Sequence, residues 1–415
     1  MSLQLLSEAS IGSRKIARVL KVIFAHSGKT PHHSTIRQWW IRYGVHILQK
    51  PLQRAEDWVA IGDLTVDVGQ MKCLTIVGVR KGRLEQRGDF TLSHEDIEIL
   101  GLYPTIKSDH VFVEQALRDA AARVGGSFSE IVIDQGSDVR KGARVFQQFH
   151  PDTRVVHDIS HKLALLMERH MTGDPRWQRF TESLSRTRSL VQQTELAALM
   201  PPSQRSKGRF MDISHIVRWP SRIQKSKATG RLSGISEERY AEYLGWIDGF
   251  KNALEGWAFM VDTVETIKGH IRKSGISERS YEHLMSLFEK TAIDKTLEEF
   301  VGEAMELVFE EVEKVGEGET LPCSTEVLES VFGKFKEINK GGHGITGNVL
   351  GMASFVGPVR SKNSVKEALE GCSVKTGMNW IKQKVGTTVA GLRRQFFSRK
   401  NRTNFDGQLQ VAATC

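Results

Sequence analysis

The sequence predicts a mixed α/β core that is interrupted by a large all-helical insertion and preceded by a short helical region. Three observations carry that expectation. Between Asp57 and His161, short apolar runs that end in carboxylates alternate with helical patterns. From Lys162 to about Thr320 strand patterns nearly vanish, and helix-period runs such as YAEYLGWIDGFKNALEGWAFMVDTVETIKGHI take over. An amphipathic helix at 321–340, LPCSTEVLESVFGKFKEINK, then returns with a further pair of acids. The implied segments are 1–50, a helical region; 51–164, the first part of the core; 165–320, the insertion; 321–378, the second part of the core; and 379–415, a basic tail.

In the first segment, Ser10 or Ser13 caps a helix carrying Ile16, Val19, Leu20 and Ile23. The stretch 26–31 reads as a turn. Ser34 or Thr35 then opens a second helix, TIRQWWIRYG, that ends at Gly44. Helix, short turn, capped basic-aromatic helix and terminal Gly make a helix-turn-helix pattern, and a small helical hairpin is the plainer reading. On the first reading Arg37 and Arg42 face DNA, and Trp39, Trp40 or Ile41 faces the core.

Residues 57–80 read as a β-hairpin or meander, with Gly69-Gln70 as the turn. Asp63 lies among apolar strand residues, where a carboxylate is costly unless it is paired or binds a metal. Asp67, which alternates with Val66 and Val68, suits a solvated position. Residues 94–100 read as loop and 109–124 as an amphipathic helix stopped by Gly125-Gly126. The apolar run Ile131-Val132-Ile133 delivers Asp134 into the turn Gln135-Gly136-Ser137-Asp138. A helix to Phe149, the breaker Pro151 and the pair Val155-Val156 lead on to Asp158 and His161. A strand that presents an acid at its end is a common way to build a metal site on an α/β scaffold. This order of strands and acids suggests a core of the RNase H-like kind.

Within the insertion lies a basic run, PSQRSKGRFMDISHIVRWPSRIQKSKATGR. It holds Arg205, Lys207, Arg209, Arg218 and Arg222, with Phe210 and Trp219 among them, against one acid, Asp212. Cations interleaved with aromatics suit a DNA-phosphate surface with Trp219 as a stacking residue. A solvated loop is the plainer alternative. In the 321–340 helix Val327, Leu328, Val331, Phe332 and Phe335 form the apolar face. Glu329 lies amid these positions, where it needs a cation, whereas the helix dipole accounts for Glu326 in the first turn.

The composition narrows the classes. Lys and Arg number 58 against 49 Asp and Glu, a net charge of +9, which favours a polyanionic partner. The four cysteines are scattered, with no C-x-x-C pair, so neither a zinc knuckle nor a disulfide framework is suggested. No apolar run approaches the roughly 20 residues of a membrane span, and MSLQLLSEAS lacks the apolar core of a signal peptide. An intracellular, cytoplasmic and nucleoid-associated protein is expected. The G-x-G-x-x-G match at Gly342, Gly344 and Gly347 follows a helix and not a strand, so it is no dinucleotide fingerprint. His157 and His161 lack the Glu of a zincin site.

Taken together, AIGDLTVDVGQMKCLTIVGVR, IVIDQGSDVRKG, HDISH and STEVLESVFGKFK resemble the DDE transposases of bacterial insertion sequences, RNase H-like enzymes with a helical insertion before the catalytic Glu. The resemblance implies a catalytic, metal-binding triad of Asp63, Asp134 and Glu329. Its D-x-x-H element falls on Asp158 and His161, although Asp158 suits a helix cap equally well. Lys336, two turns after Glu329, matches an accessory basic residue. Two Mg²⁺ ions are implied, with Mn²⁺ as a substitute; Asp63 bridges both, and Asp134 and Glu329 each serve one. The expected reaction is cleavage and strand transfer at the ends of an insertion element. The partners are terminal inverted repeats, target DNA and at least a second copy of the chain, with no membrane. The alternative is a transposase-derived DNA-binding protein without catalysis. Upstream DNA-binding parts that some relatives carry are expected to be absent.

Overall fold

The computed structural model describes residues 1–415 except 27, 67–68, 205–208, 233, 290–294, 340–343, 358–361 and 398–415. The described chain forms two units: Met1–Val156 with Thr325–Cys415, and His157–Ser324. No described helix is long and apolar enough to cross a membrane.

The first unit is mixed α/β. Its helices up to the insertion are α1 (Ser2–Ser7), α2 (Ser13–Ile23), α3 (His33–Gln49), α4 (Lys81–Arg87), α5 (His110–Ala122) and α6 (Ser137–Phe149). Strands β1 (Trp58–Val66), β2 (Lys72–Arg80), β3 (Glu98–Thr105), β4 (Glu130–Ile133) and β5 (Arg154–His157) form one sheet in the order β3-β2-β1-β4-β5. β1 and β2 pair antiparallel, as do β2 and β3; β1 and β4 pair parallel. Side chains alternate across a strand. Trp58, Ala60, Ile131 and Ile133 therefore point to one face, where they meet Val113, Leu117 and Ala120 of α5 and Ala143 and Phe146 of α6. Asp109 caps α5 by accepting the Phe112 amide at 3.0 Å.

β3 corrects the expected loop at 94–100. Gly101 and Pro104 hide the strand pattern. A proline lacks the ladder donor but is tolerated on an edge strand, and β3 is the edge. The Tyr103 ring lies over Gly101 where a Cβ would otherwise stand.

After the insertion come α14 (Glu326–Ile338), the 3₁₀ segment Gly347–Phe355, α15 (Lys362–Gly371), α16 (Val374–Lys384) and α17 (Val389–Phe397). The expected apolar face of α14 is buried residue for residue: Val327, Leu328, Val331, Phe332 and Phe335. The basic tail expected from residue 379 is helical in its described part; Arg399, Lys400 and Arg402 lie outside the described residues. Gly377 of α16 packs on Ile41, and Gly347 on Ile381.

α3 does not stop at Gly44. His32 caps it, accepting from the Ser34 amide, and it runs to Gln49. Gly44 is needed for contact: a Cβ there would overlap the Leu350 carbonyl. Trp40 Nε1 donates to Ser354 Oγ at 2.8 Å on the same seam. Gly44→Ala is expected to cost about 2–3 kcal/mol through overpacking, read as a lower midpoint of thermal unfolding.

The second unit is helical: α7 (Ile159–Gly173), α8 (Pro175–Val191), α9 (Ser214–Ala228), α10 (Glu237–Tyr243), α11 (Lys251–Ser274), α12 (Ser280–Phe288) and α13 (Lys295–Val312), with short 3₁₀ turns between. Its ends meet. Ile159 donates its amide to the Cys323 carbonyl at 3.3 Å, and Cys323 Sγ donates to the His157 carbonyl at 2.9 Å. Its core holds a buried charge cluster. The fully buried Glu311 carboxylate accepts the His157 amide at 3.0 Å and pairs with Lys162 Nζ at 2.8 Å and Lys314 Nζ at 2.7 Å. Burial alone would push this carboxyl up; the His157 hydrogen bond and the two lysines outweigh it and hold it at about 2.

Candidate active site

Asp63 and Asp134 come together through the sheet. In the parallel β1–β4 pair Gly62 lies opposite Ile133, the last paired residues, and the residue that follows each of them is an aspartate. Adjacent strands lie roughly 4.8 Å apart, so the two carboxylates start from neighbouring Cα atoms. By the period-two rule Asp63, within β1, points away from the face packed on α5 and α6, to the side of Ile61, and Asp134 follows directly on the last residue of β4. Both residues are half-buried. Asp63 Oδ1 accepts the Leu64 amide at 2.6 Å, and Asp134 Oδ1 accepts the Gln135 amide at 2.5 Å. These local bonds orient the carboxyl groups. Asp67 lies outside the described residues.

α14 packs against β1, and its buried residues are Val327, Leu328, Val331, Phe332 and Phe335. Its first turn carries Glu326 and Glu329. The expectation that Glu329 sits amid the apolar positions is corrected: Glu329 is exposed, on the flank of the buried stripe, whereas Glu326 is half-buried. Two hard carboxylates from adjacent strands, with two more on the covering helix, fit the ligand chemistry of a divalent cation. Among the described residues no group of three or more His, Cys, Asp or Glu side chains is already drawn together as an ion would hold it. Lys336 is exposed two turns after Glu329. Lys334 Nζ lies 2.8 Å from His94 Nδ1, and partial burial plus that lysine's charge hold the His94 imidazole below its usual range.

The remaining expected residues have other partners. Asp158 is the buried cap of α7, accepting the Ser160 amide at 2.8 Å, with His161 Nδ1 2.9 Å from its other oxygen. Both belong to the second unit. Arg37 Nε donates to Asn348 Oδ1 at 2.6 Å. Arg42 Nε donates to the Cys372 carbonyl at 2.6 Å, and its Nη2 donates to the Leu369 carbonyl. Both guanidinium groups thus fasten α3 to the chain's later segments, and α3 buries Ile36, Trp40, Ile41, Tyr43 and Val45.

In the second unit the second half of the run expected as a basic loop is the helix α9. Trp219 is buried and stacks with Trp246, which corrects its expected role as an exposed stacking residue. Phe210 is buried beside Trp177. Arg218 pairs with Asp262 and Glu265, each at 2.5 Å. Arg222 is exposed. Arg205, Lys207 and the side chain of Arg209 lie outside the described residues.

The positive charge is unevenly placed along the chain. Residues 9–55 contain nine Lys and Arg and no Asp or Glu, a surplus equal to the net charge of the whole chain. On α2 the cations Arg14, Lys15, Arg18 and Lys21 are all exposed, opposite the buried Ile16, Ala17 and Leu20. A tally of acids along the chain exposes this segment without any structure. No known family profile matches this chain, and no curated protein does.

Proposed function

We propose that the chain is a DNA transposase of the DDE kind, a divalent-metal-dependent enzyme of phosphoryl transfer on duplex DNA. The observation that carries this reading is the placement of Asp63 and Asp134, each directly after the last paired residues of the parallel β1–β4 ladder, on a sheet whose β1 strand α14 packs against. The strand order, with three antiparallel strands followed by one joined parallel to β1, supports an RNase H-like core.

Asp63 and Asp134 would hold the metal, with Glu326 or Glu329 completing the set. Bound Mg²⁺ would supply Lewis-acid stabilisation of charge on the reacting phosphate and activation of the attacking oxygen. The chain's own residues fix the geometry: the Leu64 and Gln135 amides hold the two carboxyl groups, and the paired strands hold their spacing.

The charge surplus of residues 9–55 supports a polyanionic substrate. The exposed cations of α2 are the better DNA contacts in this region, because Arg37 and Arg42 are already bound within the fold. The α2–α3 pair would then act as a helix-turn-helix variant that docks its first helix. A nucleoid-associated enzyme acting on two element ends as a dimer or larger assembly follows from the same reading.

The test is to incubate the full chain with duplex DNA carrying the inverted repeats that flank its coding sequence. Strand scission at the repeat ends is expected with Mg²⁺ or Mn²⁺ and none with a chelator. Intact DNA under all metal conditions overturns the reading.

A further inference from the structure

α6 starts three residues after Asp134 and carries an exposed basic stripe. Its inner face, Val139, Gly142, Ala143 and Phe146, is buried. Gly142 brings it very close to α5: a Cβ there would stand 2.6 Å from Val113 Cβ and 2.8 Å from the His110 carbonyl oxygen. The helix is therefore clamped against the core. Its outer face presents Ser137, Lys141, Arg144 and Gln148 at i, i+4, i+7 and i+11, with Arg140 alongside, and all five are exposed.

Among the described residues Arg140, Lys141 and Arg144 form no ion pair, although cations close by in the chain do, Arg118 with Glu114 and Lys107 with Asp109. Asp138 is the one acid on α6, about a quarter turn round from the stripe. Like charges at i and i+4, as with Arg140 and Arg144, cost a few tenths of a kcal/mol in an isolated helix. A polyanion on this face removes that repulsion.

We infer that this stripe is a contact track for the phosphate backbone of DNA bound to this unit. The inference rests on the DNA phosphoryl-transfer reading. The spacing suits it: Arg140 and Arg144 are about 6 Å apart along the helix axis, roughly two nucleotide steps at ~3.4 Å per step of one strand. Phosphate contacts fix register and carry no sequence information. The stripe would therefore anchor the duplex without reading its sequence, and base recognition belongs to other residues.

The test is equilibrium binding of a labelled duplex by fluorescence anisotropy, across a salt series and with chelator present so that no chemistry intervenes. Each lost phosphate contact lowers the slope of log affinity against log salt by about 0.9. The variant with Arg140→Ala, Lys141→Ala and Arg144→Ala should lose about 2 to 3 from that slope and bind at least tenfold more weakly at low salt. The charge-preserving variant with Arg140→Lys, Lys141→Arg and Arg144→Lys should keep the slope. Alanine favours helix at these exposed sites, and an unchanged unfolding midpoint checks that the fold is intact. If the wild-type chain binds with a steep salt dependence and the triple alanine variant has the same slope, the α6 track is overturned and the DNA reading stands. If the wild-type chain shows no salt-dependent binding to DNA, the DNA reading fails and the track with it.

Discussion

Asp134→Asn should lower Mg²⁺-dependent strand scission by roughly 10²–10⁴-fold and leave duplex affinity in chelator almost unchanged. An amide keeps the shape of the side chain and the bond from the Gln135 amide but removes the charge that binds a hard cation. A metal-ligand set is worth several kcal/mol at the transition state, and each 1.36 kcal/mol is about tenfold in rate. Asp63→Asn should behave alike, because the two residues directly follow the paired Gly62 and Ile133 of neighbouring strands. The covering helix offers a sharper comparison. Glu326 is half-buried and Glu329 exposed. Glu326→Gln and Glu329→Gln, assayed side by side, should give one severe loss and one mild one, and that split identifies the third ligand. Scission at wild-type rate in Asp134→Asn would rule out the acid pair as the metal site.

Glu311→Gln should destabilise the helical unit by about 3 kcal/mol at pH 6 to 7. The carboxyl is held at about 2 against an ordinary 4.5, and an offset of that size corresponds to about 3 kcal/mol. A folded-state value below the unfolded one means that the unfolded chain takes up the proton first. The stabilisation is thus complete above pH 4.5 and disappears as the pH falls through about 2. Removing the negative charge also leaves Lys162, buried, and Lys314 without their central counter-ion. Denaturant unfolding at several pH values checks the prediction: wild type and variant should differ widely at pH 6 and converge toward pH 2 to 3. Equal stability at pH 6 would mean the cluster contributes nothing net.

The parts of the fold that were legible in the sequence are those fixed by local periodicity. The Ile131–Ile133 run is buried throughout and delivers Asp134 at its end, and the apolar face of α14 matches its buried residues. What stayed hidden depends on partners far along the chain. Nothing near Arg42 signals the carbonyls of Leu369 and Cys372, and nothing near Gly44 signals Leu350. A glycine after a helical run looks like a stop until the backbone packed against it is known. Trp219 stands in a basic run, and the Trp246 ring that covers it comes from another helical segment. β3 was obscured by its own chemistry, since an edge strand can hold a proline that a central strand cannot. Glu329 shows the limit of wheel arguments: at the flank of an apolar stripe, a residue one position round is either covered or open.

The hydrogen bonds that tie Ile159 and His157 to Cys323 have a consequence for the economy of the chain. The cost of closing a flexible loop grows with the logarithm of its length, and each doubling adds about 0.6 kcal/mol. An insertion whose entry and exit are fastened side by side behaves, for the strands and helix that flank it, as a connection of a few residues. Once the helical unit has folded, the long stretch between Asp134 and α14 imposes little entropic penalty on bringing them to one sheet. Its length and surface can vary freely so long as that fastening persists, and a swap of residues 160–322 for a short flexible linker should leave the five-stranded sheet able to form.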